Sequence, residues 1–295
     1  LDAAGKYGAG LALETIGANL RALGVPPGDV VLSNKLGWFR TPLRTPEPTF
    51  EPGVWVGLQH DAEQRISYRG ILDCWEQGCG LLGEPYRPQL ASVHDPDEYL
   101  AAAATPADRQ RRWDDVLDAY RALVELRDQG QVQAVGVGAK DWRVVRDLAA
   151  AAPLDWVMIA NSLTIYSHPP ELVTLVDQWA RRGVGVINSA VFHAGFLVGG
   201  RFFDYREVRA GDQRDHPLLD WRQRFGALCQ QHEVDPAVAC VQFALSPPGV
   251  VAVAMNTSRP DNVGKNARAV QTSVAPEFWR AAKEARLVQV DYPHV

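Results

Sequence analysis

Four side chains near the start of this sequence, Asp2, Tyr7, Lys35 and His94, could between them move a proton to and from an oxygen on carbon. A phenol with an ordinary pKa of about 10 is a poor acid or base near neutrality. A tyrosine that exchanges a proton therefore needs a neighbour that stabilises its phenolate, and a lysine ammonium supplies that charge. A carboxylate beside the lysine keeps it charged and in place, and a histidine within reach of the substrate oxygen orients that oxygen. These residue types suit interconversion of a carbonyl and an alcohol, with no metal required.

Each residue taken alone has a simpler reading. Tyr7 precedes a glycine and could be a ring packed at a turn, Lys35 could be solvated, and Asp2 could cap a helix. His94, within Val93–Asp97 (VHDPD), could belong to an Asp-Pro turn. What favours chemistry is their common placement where apolar runs meet loops, the position at which a βα barrel gathers its active site.

The elements that would hold them follow from apolar patterning. Short apolar runs at 30–35, 90–94, 134–138, 156–160, 185–189 and 250–255 suit buried parallel strands. Helical periodicity falls between them, at 12–23, 68–82, 109–129, 142–151, 171–182 and 236–246. Gly24, Gly130 and Gly183 close helices as left-handed caps. Repeated βα units mean a parallel sheet with right-handed crossovers. No early GxGxxG turn marks a doubly wound dinucleotide crevice, and the candidate residues leave several different strand ends, so a (β/α)8 TIM barrel is expected, as one domain over residues 1–295. Two long interruptions, 37–67 and 199–217, are rich in aromatic residues and read as pocket walls.

Composition narrows the classes. The chain has 295 residues, 46% of them hydrophobic, enough for a large core in one barrel. A net charge of −5 gives no electrostatic reason for a nucleic-acid or anionic-membrane partner. No apolar run approaches the ~18 residues of a membrane span and no signal peptide is visible, so a soluble, cytoplasmic protein is expected. Four cysteines, Cys74, Cys79, Cys229 and Cys240, are too few for a disulfide scaffold and are expected to be reduced. No histidine cluster accompanies them, so no metal site is expected.

LDAAGKYG (1–8), LSNKLG (32–37) and VHDPD (93–97) resemble, in order and spacing, the aspartate-tyrosine, lysine and histidine motifs of the aldo-keto reductase superfamily. The resemblance runs to the C-terminus through SAVFHAGFL (189–197) and NTSRPDNVGKN (256–266), and is most similar to the branch of L-fucose, D-threo-aldose and related galactose or arabinose 1-dehydrogenases. It implies a nicotinamide cofactor, with Tyr7 as general acid/base, Lys35 and Asp2 tuning it, and His94 orienting a sugar or aldehyde. It also implies that the N-terminal hairpin, the first strand and most of the second precede Leu1. Asn161, with Ser162 as rival, would grip the carboxamide. Asn188 stands where many members stack an aromatic ring. Ser189 and the backbone from Val191 through Gly195 to Leu197 would follow the pyrophosphate.

The family's 2′-phosphate cations align with Asn256 and Asn262, both neutral here, while Arg259, Thr257, Ser258 and Asn266 remain to contact the adenosine end. NAD, or NAD and NADP alike, is therefore expected. For the span 256–266 the simpler reading is a helix start with Ser258 as cap and Pro260 just inside. An NADPH-dependent aldehyde or ketone reductase, and a non-catalytic cofactor-binding regulatory subunit, stand as alternatives. Substrate identity and oligomeric state do not read out from the sequence.

Overall fold

A computed structural model describes residues Leu1–Val295. In chain order the elements are β1 (Asp2–Ala4), α1 (Leu11–Ala22), β2 (Ser33–Leu36), β3 (Trp38–Pro42), β4 (His60–Gln64), α2 (Tyr68–Leu82), β5 (Leu90–His94), α3 (Pro96–Ala101), α4 (Pro106–Asp128), β6 (Ala134–Ala139), α5 (Trp142–Ala151) and β7 (Trp156–Ala160). They continue with α6 (Pro170–Arg181), β8 (Gly185–Ser189), β9 (Phe202–Phe203), β10 (Arg206–Glu207), α7 (His216–Gln231), α8 (Pro236–Leu245), β11 (Val250–Ala254), α9 (Pro260–Gln271) and α10 (Pro276–Glu284). The main sheet has the order β1-β2-β5-β6-β7-β8-β11. The chain divides within β7 into two compact units, the first 1–139 with 143–157, the second 140–142 with 158–295.

In the first unit β1, β2, β5 and β6 pair in parallel, and β2, β5 and β6 are almost wholly buried. That burial on both faces is why β5 and β6 read as near-continuous apolar and small-residue runs rather than alternating ones, while β2 buries the polar Asn34 and Lys35. Helices are bounded by local chemistry. Ser67 caps α2 by accepting from the Gly70 amide, and Thr105 caps α4 from the Asp108 amide with Pro106 just inside. Gly24, Gly130 and Gly183, at φ 63°, 72° and 76°, take the left-handed position after α1, α4 and α6. Gly136 is required by close approach: a Cβ there would lie 2.2 Å from the Trp156 ring.

The interruption at 37–67 is not a plain loop. β3 and β4 form an antiparallel hairpin running from Trp38 opposite Gln64 to Pro42 opposite His60. Arg40 fastens it, donating to the Ala9 carbonyl and, with both guanidinium arms, to Glu14. Phe50 is buried with Ala9 and Ala62, against Trp38, Trp55 and Leu58, so these aromatics make a small core of their own.

In the second unit β8 and β11 pair in parallel. Its core includes the fully buried Trp179, Phe196, Phe225, Phe243 and Phe278, each contributing on the order of 2–3 kcal/mol by removal from water. The interruption at 199–217 holds the short hairpin β9–β10, turned by Asp204 and Tyr205 at φ 45° and 71°. The four cysteines are free, and no helix is long and apolar enough to cross a membrane.

Candidate active site

Strand register gathers the N-terminal side chains. Lys35 of β2 lies opposite Ala4 of β1 and Ser92 of β5, and His94, two residues beyond Ser92, shares its face of the sheet. Tyr7 stands in the turn that leaves β1, where its amide donates to the Ala4 carbonyl. Lys35 Nζ donates to Tyr7 Oη at 3.0 Å and forms an ion pair with Asp2 Oδ2. The Tyr7 and His94 rings meet edge to face, centroids 5.2 Å apart. Lys35 and His94 are each 3% exposed, so these contacts are made away from bulk water, where they are strongest. All four residues named from the sequence converge in the first unit.

Burial favours the neutral form of Tyr7, and the Lys35 charge and hydrogen bond oppose it; burial prevails, leaving the phenol above its ordinary range. Burial also works against the Lys35 ammonium, but Asp2 and Tyr7 more than compensate and hold it above its ordinary value. At neutral pH the pair is thus a cationic lysine donating to a protonated phenol. Gly138, opposite His94 on β6, makes room for the lysine: a Cβ there would meet Lys35 Cδ at 3.1 Å and Cε at 3.2 Å.

Next to Tyr7, the sequence reading passes over Lys6. Its ammonium is buried and lies within 3.0 Å of Glu51, 3.3 Å of Asp95 and 3.3 Å of Glu98. No periodicity marks it, because its partners come from a remote loop, a strand end and a helix.

The second unit holds the remaining candidates. Asn161, half-buried at φ 61°, follows β7, and its backbone N–H donates to the Ser189 carbonyl at 3.3 Å. Its rival Ser162 is committed to the Lys140 and Ala160 carbonyls. The Ser189 hydroxyl donates to the Ile159 carbonyl. Asn188 is fully buried, and its amide brackets the Leu163 and Ala244 carbonyls. Its side chain therefore holds a loop to a helix end. Val191 and Leu197 are 2% exposed core residues, leaving only their backbone to meet a ligand. Gly195, at φ 88°, has open space where a Cβ would stand.

At the start of α9 one sequence expectation is corrected: Arg259, not Ser258, is the N-cap residue, and no side chain caps the helix. Thr257 Oγ1 instead accepts from the Arg259 amide at 3.1 Å and from the Asn262 side chain at 3.4 Å. Ser258 is exposed, while Asn262 and Asn266, one turn apart, are half-buried on one face of α9. An uncapped helix N-terminus beside Arg259, hydroxyls and amides is a donor set that fits the phosphates and adenosine of a dinucleotide.

A hydrogen-bonded chain that sequence reading misses also runs through this unit. His193 is buried, its Nε2 2.8 Å from Thr164 Oγ1 and its Nδ1 2.9 Å from Asp204 Oδ1, with the ring stacked on Phe203. His168 Nδ1 lies 3.0 Å from the Thr164 carbonyl, and its Nε2 accepts from the Gln289 amide at 3.1 Å. An accepting Nε2 fixes His168 as neutral, with its proton on Nδ1.

Parallel strands alternating with helices are the architecture of the (β/α)8 barrel class, here with Asp2, Tyr7, Lys35 and His94 brought together along β1 and the turn after it, β2 and β5. The chain belongs to the aldo/keto reductase family, whose profile matches residues 1–286, and is an NAD(P)-dependent enzyme. It is 26% identical to the pyridoxal 4-dehydrogenase of Microbacterium luteolum, over 97% of this chain and 84% of that protein. It is 27% identical to the D-threo-aldose 1-dehydrogenase of a Pseudomonas species, over 97% and 83%. Among solved structures, the holo form of an aldo-keto reductase from Bacillus halodurans is similar at a TM-score of 0.69 with 18% identity, covering 100% of this chain and 84% of that one. A thermostable aldo-keto reductase bound to the inhibitor epalrestat gives a TM-score of 0.62 with 15% identity, over 96% and 80%.

Proposed function

We propose that this enzyme, as a single catalytic domain, oxidises an aldose at C1 to the lactone, and that the same groups run in reverse on an aldehyde. The observation that carries this reading is Lys35 bridging Tyr7 and Asp2 within hydrogen-bonding distance. In oxidation Tyr7 accepts the proton of the anomeric hydroxyl as the C1–H bond breaks. Lys35 stabilises the phenolate before it does so, Asp2 keeps Lys35 charged, and His94 orients the sugar oxygen. The nicotinamide, when bound, supplies the acceptor for the departing hydride. Similarity to an aldose 1-dehydrogenase supports the substrate class.

For the cofactor, Asn161 takes the carboxamide, while Ser189 and the backbone from Val191 to Leu197, opened at Gly195, follow the pyrophosphate. Thr257, Ser258, Arg259, Asn262 and Asn266 take the adenosine end. Neutral Asn256 and Asn262 give no second and third cation beside Arg259 for a 2′-phosphate, so we assign NAD, or both cofactors equally. A second reading, NADPH-dependent reduction of an aldehyde, is favoured by the protonated state of Tyr7, which suits a proton donor.

The test is the absorbance of reduced nicotinamide, followed with NAD and with NADP against L-fucose, D-arabinose, L-galactose, pyridoxal and simple aldehydes. Lactone formation with NAD, lost in Tyr7→Phe by a factor of roughly 10²–10⁴, is the expected result. Turnover that survives Tyr7→Phe refutes the mechanism, and reduction alone, with NADPH only, selects the second reading.

A further inference from the structure

Lys6 precedes Tyr7 in the turn after β1 and is 5% exposed, yet it carries a charge. A buried ammonium persists only when paired, and this one is paired three times, by Glu51, Asp95 and Glu98. Burial acts to discharge it, while its hydrogen bond to Glu51 and the charges of Asp95, Glu98 and Glu51 prevail and raise its pKa. The Trp38 ring lies 5.3 Å from the same ammonium. The three carboxylates come from places the sequence keeps far apart. Glu51 belongs to the segment joining β3 to β4, Asp95 follows His94 at the end of β5, and Glu98 lies on α3.

Two of these partners stand in backbone conformations that non-glycine residues rarely adopt, Glu51 at φ 47° and Asp95 at φ 46°. Such conformations persist where surrounding contacts over-determine them. Glu51 is held at both oxygens, by Lys6 on Oε1 and by the Trp55 indole on Oε2 at 2.8 Å. Asp95 Oδ2, which accepts from Lys6, is also 3.6 Å from His94 Nε2. The Phe50 core seats the same segment on Ala9, two residues after Tyr7.

We propose that Lys6 is a positioning residue for the substrate site: its ammonium ties the turn bearing Tyr7 both to the 43–59 segment and to the corner bearing His94. Through Glu51 it holds the segment over the Tyr7 turn, and through Asp95 it fixes the corner from which His94 projects. This rests on the role of Tyr7 and His94 proposed above. The Lys6 ammonium pairs with Glu51, Asp95 and Glu98, none of them assigned to the reacting atoms or the cofactor, so its loss should be felt as substrate misplacement.

The test compares the full chain with Lys6→Met, Lys6→Arg and Glu51→Gln, by steady-state kinetics with L-fucose or with benzaldehyde, and by limited chymotrypsin digestion. For Lys6→Met we expect kcat/KM for the substrate to fall at least about tenfold with cofactor KM unchanged, an effect of the size that misplacement of a bound reactant produces. Cleavage after Phe50 and Trp55 should accelerate in Lys6→Met and Glu51→Gln, and Lys6→Arg should restore most of both properties. Unchanged digestion in Lys6→Met overturns the tie, whatever the turnover. A parallel loss of cofactor affinity with a lowered melting temperature overturns the positioning role and leaves a merely structural one. If Tyr7→Phe stays active the catalytic reading fails, while digestion still decides whether Lys6 holds the segment.

Discussion

Replacing Gly138 by alanine puts one methyl group against the aliphatic stem of Lys35. The added Cβ would lie 3.1 Å from Cδ and 3.2 Å from Cε, where carbon pairs prefer about 3.5–4.0 Å. Gly138 is a strand residue within β6 and has no left-handed backbone to lose, so the clash falls on the lysine, which must retreat by about 0.5 Å. Its ammonium cannot retreat freely, being bonded to both Tyr7 and Asp2. A displacement of 1 Å in a reacting array costs about 10²-fold in rate. Half of that predicts a fall in kcat of about tenfold, equivalent to about 1.4 kcal/mol in the barrier. Overpacking adds a stability loss of about 1–3 kcal/mol. The assay is kcat for the wild type, Gly138→Ala and the control Gly80→Ala, a helical position in α2 where a Cβ meets nothing within 4 Å. Gly80→Ala should keep full activity and gain about 0.5–1 kcal/mol of stability. Full kcat in Gly138→Ala, with the melting temperature lowered, would falsify the claim that lysine placement limits turnover.

Because burial holds the Tyr7 phenol above its ordinary range, oxidation, which needs the phenolate, should accelerate as pH rises through the alkaline range. Reduction should be flat near neutrality and decline only where the phenol ionises; profiles of kcat/KM in both directions check this, and identical profiles contradict it. His168 is buried, and burial lowers its pKa in the folded state. Its contribution is therefore fully present above the unfolded value of about 6.5 and is lost as the pH falls toward the depressed folded value. Melting temperature against pH should drop below about 6.5, less steeply in His168→Gln. Asn262→Arg should raise the NADP-to-NAD ratio of kcat/KM by roughly tenfold, the worth of one charge-assisted bond to the 2′-phosphate; an unchanged ratio places the adenosine end elsewhere.

The six central strands and the grouping of Asp2, Tyr7, Lys35 and His94 were legible because each depends on local signals. Buried parallel strands leave apolar runs, and strand ends leave their polar residues in fixed order. β2 starts at Ser33 rather than Val30, since the 3-10 turn at Pro27–Asp29 and an extended link precede it. The β3–β4 hairpin was hidden because its register is set by Arg40 reaching Ala9 and Glu14 and by Gln77 on α2 bonding both polar groups of the Arg40 backbone. Those are tertiary contacts, with no turn motif to announce them. Lys6 escaped for a similar reason: two of its partners lie 89 and 92 residues away. Asn188 shows the limit of position alone. Its alignment suggests a face toward the cofactor, whereas its carbonyl contacts give it a packing task that one sequence does not disclose.

The chain from Gln289 through His168, Thr164 and His193 to Asp204 bears on how the enzyme can be remodelled. The segment at 199–217 varies in length and composition more readily than a strand can, which makes it an obvious cassette for transplanting substrate range. It is not modular. A graft that omits Asp204 leaves the Nδ1 proton of His193 without its acceptor, and a graft accepted at Thr164 must also preserve the carbonyl that receives from His168. Recombination that respects the chain would have to move three loops and the tail together, so library crossovers belong outside residues 164–289.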